Sequence, residues 1–202
     1  MNHSVKLLFL LFSLAVLSVP SMMDATAASQ DEQKKSGIFL NEIAVGSGYV
    51  HSSFQGSQND YFVYPALVRV GFDISSLVGI GGQKSKMQLA LEPFVNAIAG
   101  DKRGVEAGLS IGVRYFQAIA KSFDLFTEIS VAPMFLGIDT VEQGVAGFNF
   151  LDQIGLGLQY KLSDCSAFFV GYRFRHLSNA NISHPNLGIN SDAPVCGISW
   201  LF

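Results

Sequence analysis

Charge is scarce in this 202-residue chain. Only 14% of its residues are Asp, Glu, Lys or Arg, against roughly 25% in ordinary soluble domains. A chain with so few charges is poorly suited to cover the whole surface of a water-soluble enzyme, so that class is disfavoured. The 13 Lys and Arg residues form no basic block and the net charge is -3, which argues against nucleic acid as a partner. The 49% hydrophobic content excludes an intrinsically disordered chain.

Long hydrophobic runs are missing beyond the N-terminus. The run from Leu7 to Val19 has 13 residues, fewer than the roughly 20 that a transmembrane helix needs. It follows the positively charged Lys6 and precedes the small-x-small pattern of Ala25 to Ala27, which a signal peptidase accepts. We therefore predict a signal peptide, a disordered leader and one exported domain, over residues 1–27, 28–37 and 38–202 respectively.

Cysteine is nearly absent, since the chain has two. An even pair in an oxidising compartment invites a disulfide between Cys165 and Cys196. Pairing the last two predicted strands about residue 183 places Cys165 opposite residue 201, roughly 17 Å from Cys196 at about 3.3 Å per residue. A disulfide needs Cα atoms within about 7 Å. We therefore predict two free thiols.

The chain does have a regular alternation of apolar and polar residues. Such a period of two is typical of β-strands with two different faces. The alternating segments are about ten residues long, which is the length that a tilted strand needs to cross a bilayer. We count eight of them: Phe39 to Val50, Phe62 to Asp73, Lys86 to Asn96, Val105 to Phe116, Phe123 to Val131, Asn149 to Tyr160, Phe168 to Arg175 and Val195 to Phe202.

The polar face distinguishes a membrane barrel from a soluble β-sandwich. In a sandwich that face meets water and is rich in Lys, Glu and Thr. Here it mixes glycines with four arginines and four acids, a balance that suits a cramped, self-neutralising interior. The cations are Arg69, Arg114, Arg173 and Arg175, and the acids are Asp73, Glu92, Glu106 and Glu128.

The predicted fold class is all-β, an eight-stranded antiparallel transmembrane β-barrel of the bacterial outer membrane, with a soluble all-β domain as the alternative. The chain ends in an aromatic strand whose last residue is Phe202, which resembles the signal that the barrel-assembly machinery reads. An eight-stranded barrel is filled by side chains, so a diffusion pore is not expected.

The connections between the predicted strands indicate the orientation of the barrel. Barrels of this class have short periplasmic turns and longer outer loops. We predict turns over Ser76 to Ser85, Ala118 to Ser122 and Ser163 to Asp164. The predicted outer loops cover Ser52 to Tyr61, Ile98 to Arg103, Gly137 to Gly147 and Leu177 to Asp192.

A base and a hydroxyl lie two residues apart at the outer end of the seventh predicted strand. The lipid-facing parity of this strand, which includes Phe174, leads to His176 and then to Ser178. A base beside a serine is the minimal activated nucleophile, and Asn179 can supply an amide donor to an oxyanion. Because these side chains face lipid, the substrate must come from the membrane itself. Interfacial polarity is the competing interpretation.

Two short motifs give these residues a context. His176-Leu177-Ser178-Asn179-Ala180 is followed by Pro185-Asn186-Leu187-Gly188. This arrangement resembles the PagL family of outer-membrane lipid A 3-O-deacylases. The resemblance implies that Ser178 is the nucleophile and His176 the general base. It also implies an oxyanion-stabilising role for Asn179 and a loop-ordering role for Asn186.

The resemblance further implies a substrate and its surroundings. The family hydrolyses the ester between a 3-hydroxyacyl chain and the 3-position of lipid A in lipopolysaccharide, with no metal and no cofactor. The implied partners are therefore lipid A and the lipid of the outer membrane, in addition to the assembly machinery that reads Phe202. The sequence leaves a homodimer open.

One residue departs from the family pattern. The family has a glutamate two residues after the glycine of Pro-Asn-x-Gly, where it orients the histidine, and this chain has Asn190. An amide oxygen accepts a hydrogen bond from imidazole but carries no charge to stabilise imidazolium. Three interpretations stay open: Asn190 orients His176, Asp192 replaces the acid, or the barrel is inactive or retargeted. The third corresponds to a non-catalytic small barrel with a structural or loop-mediated binding role.

Overall fold

The computed structural model describes residues 37–53, 60–80 and 84–202, and β-strands form nearly all of their regular structure. The predicted signal peptide and all of the predicted leader before Gly37 lie outside these residues. Within them, no helix is long and apolar enough to cross a bilayer. The strands are β1 (Phe39–Gly48), β2 (Val50–Ser53), β3 (Asp60–Tyr64), β4 (Ala66–Asp73), β5 (Ser85–Gly100), β6 (Gly104–Ala120), β7 (Phe123–Leu136), β8 (Gly147–Ser163), β9 (Ser166–Ser178) and β10 (Ile189–Leu201).

These ten strands build an eight-stranded closed barrel. Tyr49 separates β1 from β2, and Pro65, which has no N–H to donate to a ladder, separates β3 from β4. Each of these pairs continues one barrel strand, because β1 and β2 both pair with β10 while β3 and β4 both pair with β5. All pairings are antiparallel, and β1 with β10 closes the sheet. The predicted fold class is confirmed.

The strands are staggered around the barrel. A path from Asn190 that crosses each barrel strand at the directly paired residue returns to β10 at Trp200, ten residues farther along. Eight strands with this stagger tilt by about 40° and leave an interior that side chains can fill. The path passes through His176, Asp152, Val131, Ile111, Leu91, Val70 and Ile43.

Ion pairs fill the interior. Arg173 contacts both Glu92 and Glu128, with its Nε 2.6 Å from Glu128 Oε1 and its Nη1 2.9 Å from Glu92 Oε2. The four arginines predicted for this face are all buried there. The prediction of Asp73 as the fourth acid of the interior is wrong. That place is taken by Glu42, whose carboxylate lies 2.8 Å from the Arg114 guanidinium. Asp73 lies at the end of β4, where its carboxylate accepts a hydrogen bond from the Ser75 amide at the start of the turn.

The exterior is apolar. Large hydrophobic side chains point outward along the strands, and Ile129, Ile154 and Leu156 are each more than half exposed. A polar interior inside an apolar outer band is the reverse of a soluble protein and is typical of a barrel that spans a bilayer.

The connections differ from the sequence-based boundaries at the outer end. The loop expected over Leu177 to Asp192 covers only residues 179–188, because β9 continues to Ser178 and β10 begins at Ile189. The ladder continues there because Leu177 and Ile189 pair and are both buried. Ser178 and Asn190 therefore lie on strands rather than in a loop.

The register of the last two strands agrees with the cysteine prediction. The Leu201 amide donates to the Cys165 carbonyl, and Cys196 pairs with Val170. Both cysteines are free and exposed.

Candidate active site

His176 and Asn190 form the centre of the candidate site. They are directly paired across β9 and β10, and both side chains lie on the outer surface of the barrel. The His176 Nδ1 atom lies 2.6 Å from the Asn190 Oδ1 atom. Because an amide oxygen only accepts, Nδ1 is the donor, and in a neutral ring Nε2 is then left as the acceptor. This is the tautomer that a general base for a hydroxyl requires.

Ser178 lies on the same outward face, two residues farther along β9. Its side chain is partly exposed, and its hydroxyl makes no hydrogen bond with any other described residue. The structure therefore brings His176 and Asn190 into contact and places Ser178 beside them without a hydrogen bond to the imidazole. Catalytic hydrogen bonds of this kind are often long before substrate binds.

Gly188 forms one wall of the imidazole site. Its φ is +76°, in the left-handed region where glycine is favoured. A Cβ added at this position would lie 2.7 Å from the His176 Cε1 atom and 3.4 Å from Nε2. The ring thus lies directly against the backbone of residue 188, so any side chain there would displace it.

We predict that Gly188→Ala lowers any catalysis by His176 by about tenfold or more, because a displacement of about 1 Å at a reacting group can cost up to about 100-fold. Gly79→Ala is the matched control, since Gly79 has a φ of +69° but no atom within 4 Å of an added Cβ. Both variants bear the same backbone strain, and only Gly188→Ala should lose activity in an assay of purified, folded protein. Equal activity in the two variants would contradict this account of the site.

The loop over residues 179–188 is held by two asparagines. Asn179 is buried, and its Nδ2 donates to Ser183 Oγ at 3.1 Å and to the Pro185 carbonyl at 3.0 Å, so both amide hydrogens are engaged. The Asn179 backbone N–H donates to Asn186 Oδ1 at 2.9 Å. The Asn186 Nδ2 donates to Asn181 Oδ1 at 3.3 Å, which leaves its second hydrogen without a partner among the described residues.

Asp192 is two residue pairs farther along β10 than Asn190, opposite Phe174. Its carboxylate accepts a hydrogen bond from the Tyr172 hydroxyl, and on its other side it is paired with His51 on β2. It has no hydrogen bond or ion pair with His176 among the described residues. Of the two orienting residues that the sequence offered, Asn190 is the one in contact with the imidazole.

Asp152 is a neighbour of His176 that the sequence analysis missed. It lies on β8, directly paired with His176 from the side opposite Asn190, and its side chain is exposed. One feature of the sequence could have drawn attention to it. Asp152 is an acid at an outward position of β8, and the next outward residues on that strand, Ile154 and Leu156, are apolar. Only the pairing of β8 with β9 relates this acid to the histidine.

An apolar groove begins at this point on the outer surface. Its volume is about 620 Å³, and it runs across β5 to β9. Asp152 and His176 are its only ionisable lining residues. The outward apolar side chains that line it are Leu89, Ile111, Val113, Ile129, Val131, Ile154 and Phe174.

Two of three comparisons relate this chain to known proteins. The model of the lipid A 3-O-deacylase (PagL) family matches residues 66–198. Among solved structures, the outer membrane enzyme PagL aligns with a TM-score of 0.53 at 19% identity, covering 77% of this chain and 97% of that one. Neisserial surface protein A (NspA) aligns with a TM-score of 0.58 at 11% identity, covering 83% and 100%. At these identities the two structures show the fold alone, and comparison with curated proteins gives no match.

Proposed function

Because the chain belongs to the lipid A 3-O-deacylase (PagL) family, we propose that it removes the 3-O-linked 3-hydroxyacyl chain of lipid A by Ser-His nucleophilic catalysis. The chemistry takes place on the outside of the barrel, at the outer leaflet. The observation that carries the proposal is the 2.6 Å contact between His176 Nδ1 and Asn190 Oδ1, which leaves Nε2 as the base on the face that holds Ser178.

The reaction consists of two acyl transfers. The Ser178 oxygen attacks the ester carbonyl while His176 Nε2 accepts the hydroxyl proton. The tetrahedral intermediate expels the 3-oxygen of lipid A, which takes that proton from the imidazolium, and an acyl-serine remains. Water then attacks the acyl-serine, again giving a proton to Nε2, and the released fatty acid leaves Ser178 with its proton restored.

We assign the side-chain oxyanion donor to Asn186. An oxyanion donor needs a free N–H near the reacting carbonyl. Both side-chain hydrogens of Asn179 are used within the loop, which supports a loop-ordering role for that residue. Asn186 keeps one amide hydrogen, and its Oδ1 is bound to the backbone of the residue that follows Ser178.

The apolar groove fits the acyl chain of the substrate. Its lining is hydrophobic over most of its length, and it begins beside His176. A lipid that diffuses laterally in the outer leaflet could lay its chain in the groove with its ester at Ser178, so the substrate need not enter the barrel. This arrangement supports residence in the outer membrane, reached through the signal peptide predicted over residues 1–27.

We predict that Ile154→Gln lowers kcat/KM for long-chain esters by about tenfold. The bound acyl chain would cover the Ile154 side chain, and an apolar contact of this kind contributes about 1–3 kcal/mol to substrate discrimination. Leu156→Gln is the matched control: the two side chains are 58% and 56% exposed on the same strand, and Leu156 does not line the groove. Hydrolysis of acetyl and tetradecanoyl esters by both variants checks this. If the two variants lose equal fractions of their kcat/KM for the tetradecanoyl ester, the groove does not hold the acyl chain.

The proposed function is tested by expression of the full chain in a Gram-negative host with intact lipid A. Mass spectrometry of extracted lipid A should show the loss of one 3-hydroxyacyl chain. Unchanged lipid A, with the barrel folded in the outer membrane, would instead favour the non-catalytic alternative that the Asn190 departure allows.

A further inference from the structure

The segment from Pro185 to Gly188 carries two parts of the candidate site outside any strand. Asn186 is the proposed oxyanion donor, and the Gly188 backbone forms one wall of the imidazole site. Both roles depend on where the backbone of this segment lies, because a displacement of about 1 Å at a reacting group can cost up to about 100-fold in rate. Contacts that support the segment from outside its own loop therefore matter to catalysis.

A tight hairpin lies next to this segment, in the connection between β7 and β8. Thr140 and Gly144 exchange two backbone hydrogen bonds, at 2.8 and 2.9 Å. The Thr140 Oγ1 atom also accepts a hydrogen bond from the Gln143 backbone N–H at 2.8 Å. The side chains of Glu142 and Gln143 are buried at its tip. We call residues 139–146 the β7–β8 hairpin.

The β7–β8 hairpin contacts the active-site segment at two points, one on each side of Asn186. The Leu187 N–H donates to the Glu142 carbonyl at 2.9 Å. A Cβ added at Gly144 would lie 3.2 Å from Pro185 Cδ, so the hairpin backbone lies close against the proline ring. Gly144 has a φ of +77°, so a glycine suits both the turn and this close approach. Residue 186 is thus held between a hydrogen bond and a packing contact.

This contact joins two loops beyond the wall of the barrel. The pairing of β7 with β8 ends at Leu136 and Gly147, and the pairing of β9 with β10 ends at Leu177 and Ile189. Neither ladder includes a residue of the contact. A change confined to the contact should therefore leave the barrel folded.

We infer that the β7–β8 hairpin is a positioning element for acyl transfer. By fixing the residues on either side, it sets where the Asn186 amide and the Gly188 backbone lie relative to Ser178. This inference rests on the proposed function. The oxyanion carries its charge in the transition state and not in the bound ester, so misplacement of its donor weakens transition-state stabilisation. A defect in the hairpin should lower kcat and leave KM nearly unchanged.

The first test is steady-state hydrolysis of lipid A by the full chain in detergent micelles. In Gly144→Ala the new Cβ lies close enough to Pro185 Cδ that the closed proline ring must give by a few tenths of an ångström. We expect kcat to fall by about fivefold with KM nearly unchanged, in proportion to the roughly 100-fold that 1 Å can cost. Gly79→Ala is again the matched control, because Gly79 has a φ of +69° and open space around an added Cβ. Its kcat should change by less than about twofold.

The second test loosens the β7–β8 hairpin without adding bulk. Thr140→Val removes the Oγ1 acceptor of the Gln143 N–H in a side chain of nearly the same shape, whereas Thr140→Ser keeps that acceptor. We expect Thr140→Val to lower kcat by about fivefold, because a lost buried hydrogen bond lets the hairpin open more often. Thr140→Ser should keep most of the wild-type kcat. A general loss of barrel stability would not follow the hydroxyl in this way.

Hydrogen–deuterium exchange gives a readout that does not depend on activity. The Leu187 amide should exchange faster in Gly144→Ala and Thr140→Val than in the wild type, because its bond to the Glu142 carbonyl opens more often. Gly79→Ala should match the wild type. Peptide-resolved exchange over residues 179–190 measures this, and heat-modifiable migration on gels verifies that each variant is folded.

The possible results separate the inference from the proposed function. A wild type without activity would overturn the proposed function, and this inference with it. An active wild type with equal kcat in Gly144→Ala and Gly79→Ala would overturn the inference alone, as would a rise in KM at constant kcat. Unchanged exchange at Leu187, or equal losses in the two Thr140 variants, would overturn it too. If Gly144→Ala does not fold, the two Thr140 variants decide between the same outcomes.

Discussion

We expect Ser178→Ala to eliminate detectable deacylation, lowering kcat by about 10⁴-fold or more. In serine hydrolases the loss of the nucleophile costs about as much as the loss of the whole triad, because the remaining residues have no oxygen to activate. His176 and Asn190 keep their contact in this variant, since Ser178 donates no hydrogen bond to either residue. The effect should therefore fall on kcat and not on the stability of the barrel.

Lipid A mass spectrometry of cells that express wild type or Ser178→Ala gives the measurement. Ser163→Ala is the control, because Ser163 ends β8 at the opposite end of the barrel and should leave deacylation unchanged. Heat-modifiable migration of the folded barrel on gels verifies assembly of all three proteins. If Ser178→Ala still removes the acyl chain, another residue is the nucleophile.

We expect Arg175→Met to destabilise the barrel by about 3–5 kcal/mol, the usual result of removing one partner from a buried ion pair. Arg175 Nη2 lies 2.5 Å from Glu106 Oε1, and the exposed fraction of the Glu106 side chain is 0%. Without the guanidinium, the Glu106 carboxylate keeps the hydrogen bond from the Asn96 side-chain amide at 2.7 Å but loses its salt bridge to Arg175. Urea unfolding in detergent or lipid vesicles, followed by Trp200 fluorescence, measures this loss.

The double variant Arg175→Met/Glu106→Gln should recover most of that stability, because it removes both charges of this buried ion pair together. Arg103→Met provides the comparison at an exposed outer loop, where the expected change is within about 0.5 kcal/mol. The double variant could instead lose as much free energy of unfolding as the two single variants, Arg175→Met and Glu106→Gln, lose together. In that case the ion pair is not the source of the destabilisation.

The two-faced strands could be predicted from the sequence because their cause is local. Side chains on a β-strand alternate between its faces, so the order of residues along the chain already separates the arginines of the interior from the apolar exterior. The same parity carried Phe174 to His176 and Ser178 on the outer face, as the structure has them. The register of β9 with β10 was also accessible, because a short distance along the chain joins the two strands.

The sequence left open which of two residues orients the histidine. Asn190 and Asp192 share one face of β10, and the side-chain contacts in the structure decide that Asn190 meets His176 while Asp192 meets Tyr172. The outer loop was predicted too long because polar residues at its edges conceal the continuing ladder between Leu177 and Ile189.

Alternation by itself determined the faces of this barrel and the side of the wall on which the histidine and serine lie. The tertiary structure decided which side chains surround them. Asp152 comes 24 residues before His176, and no pattern along the chain links the two. They meet because β8 and β9 pair with a particular stagger, which depends on hydrogen bonds and packing around the whole closed sheet.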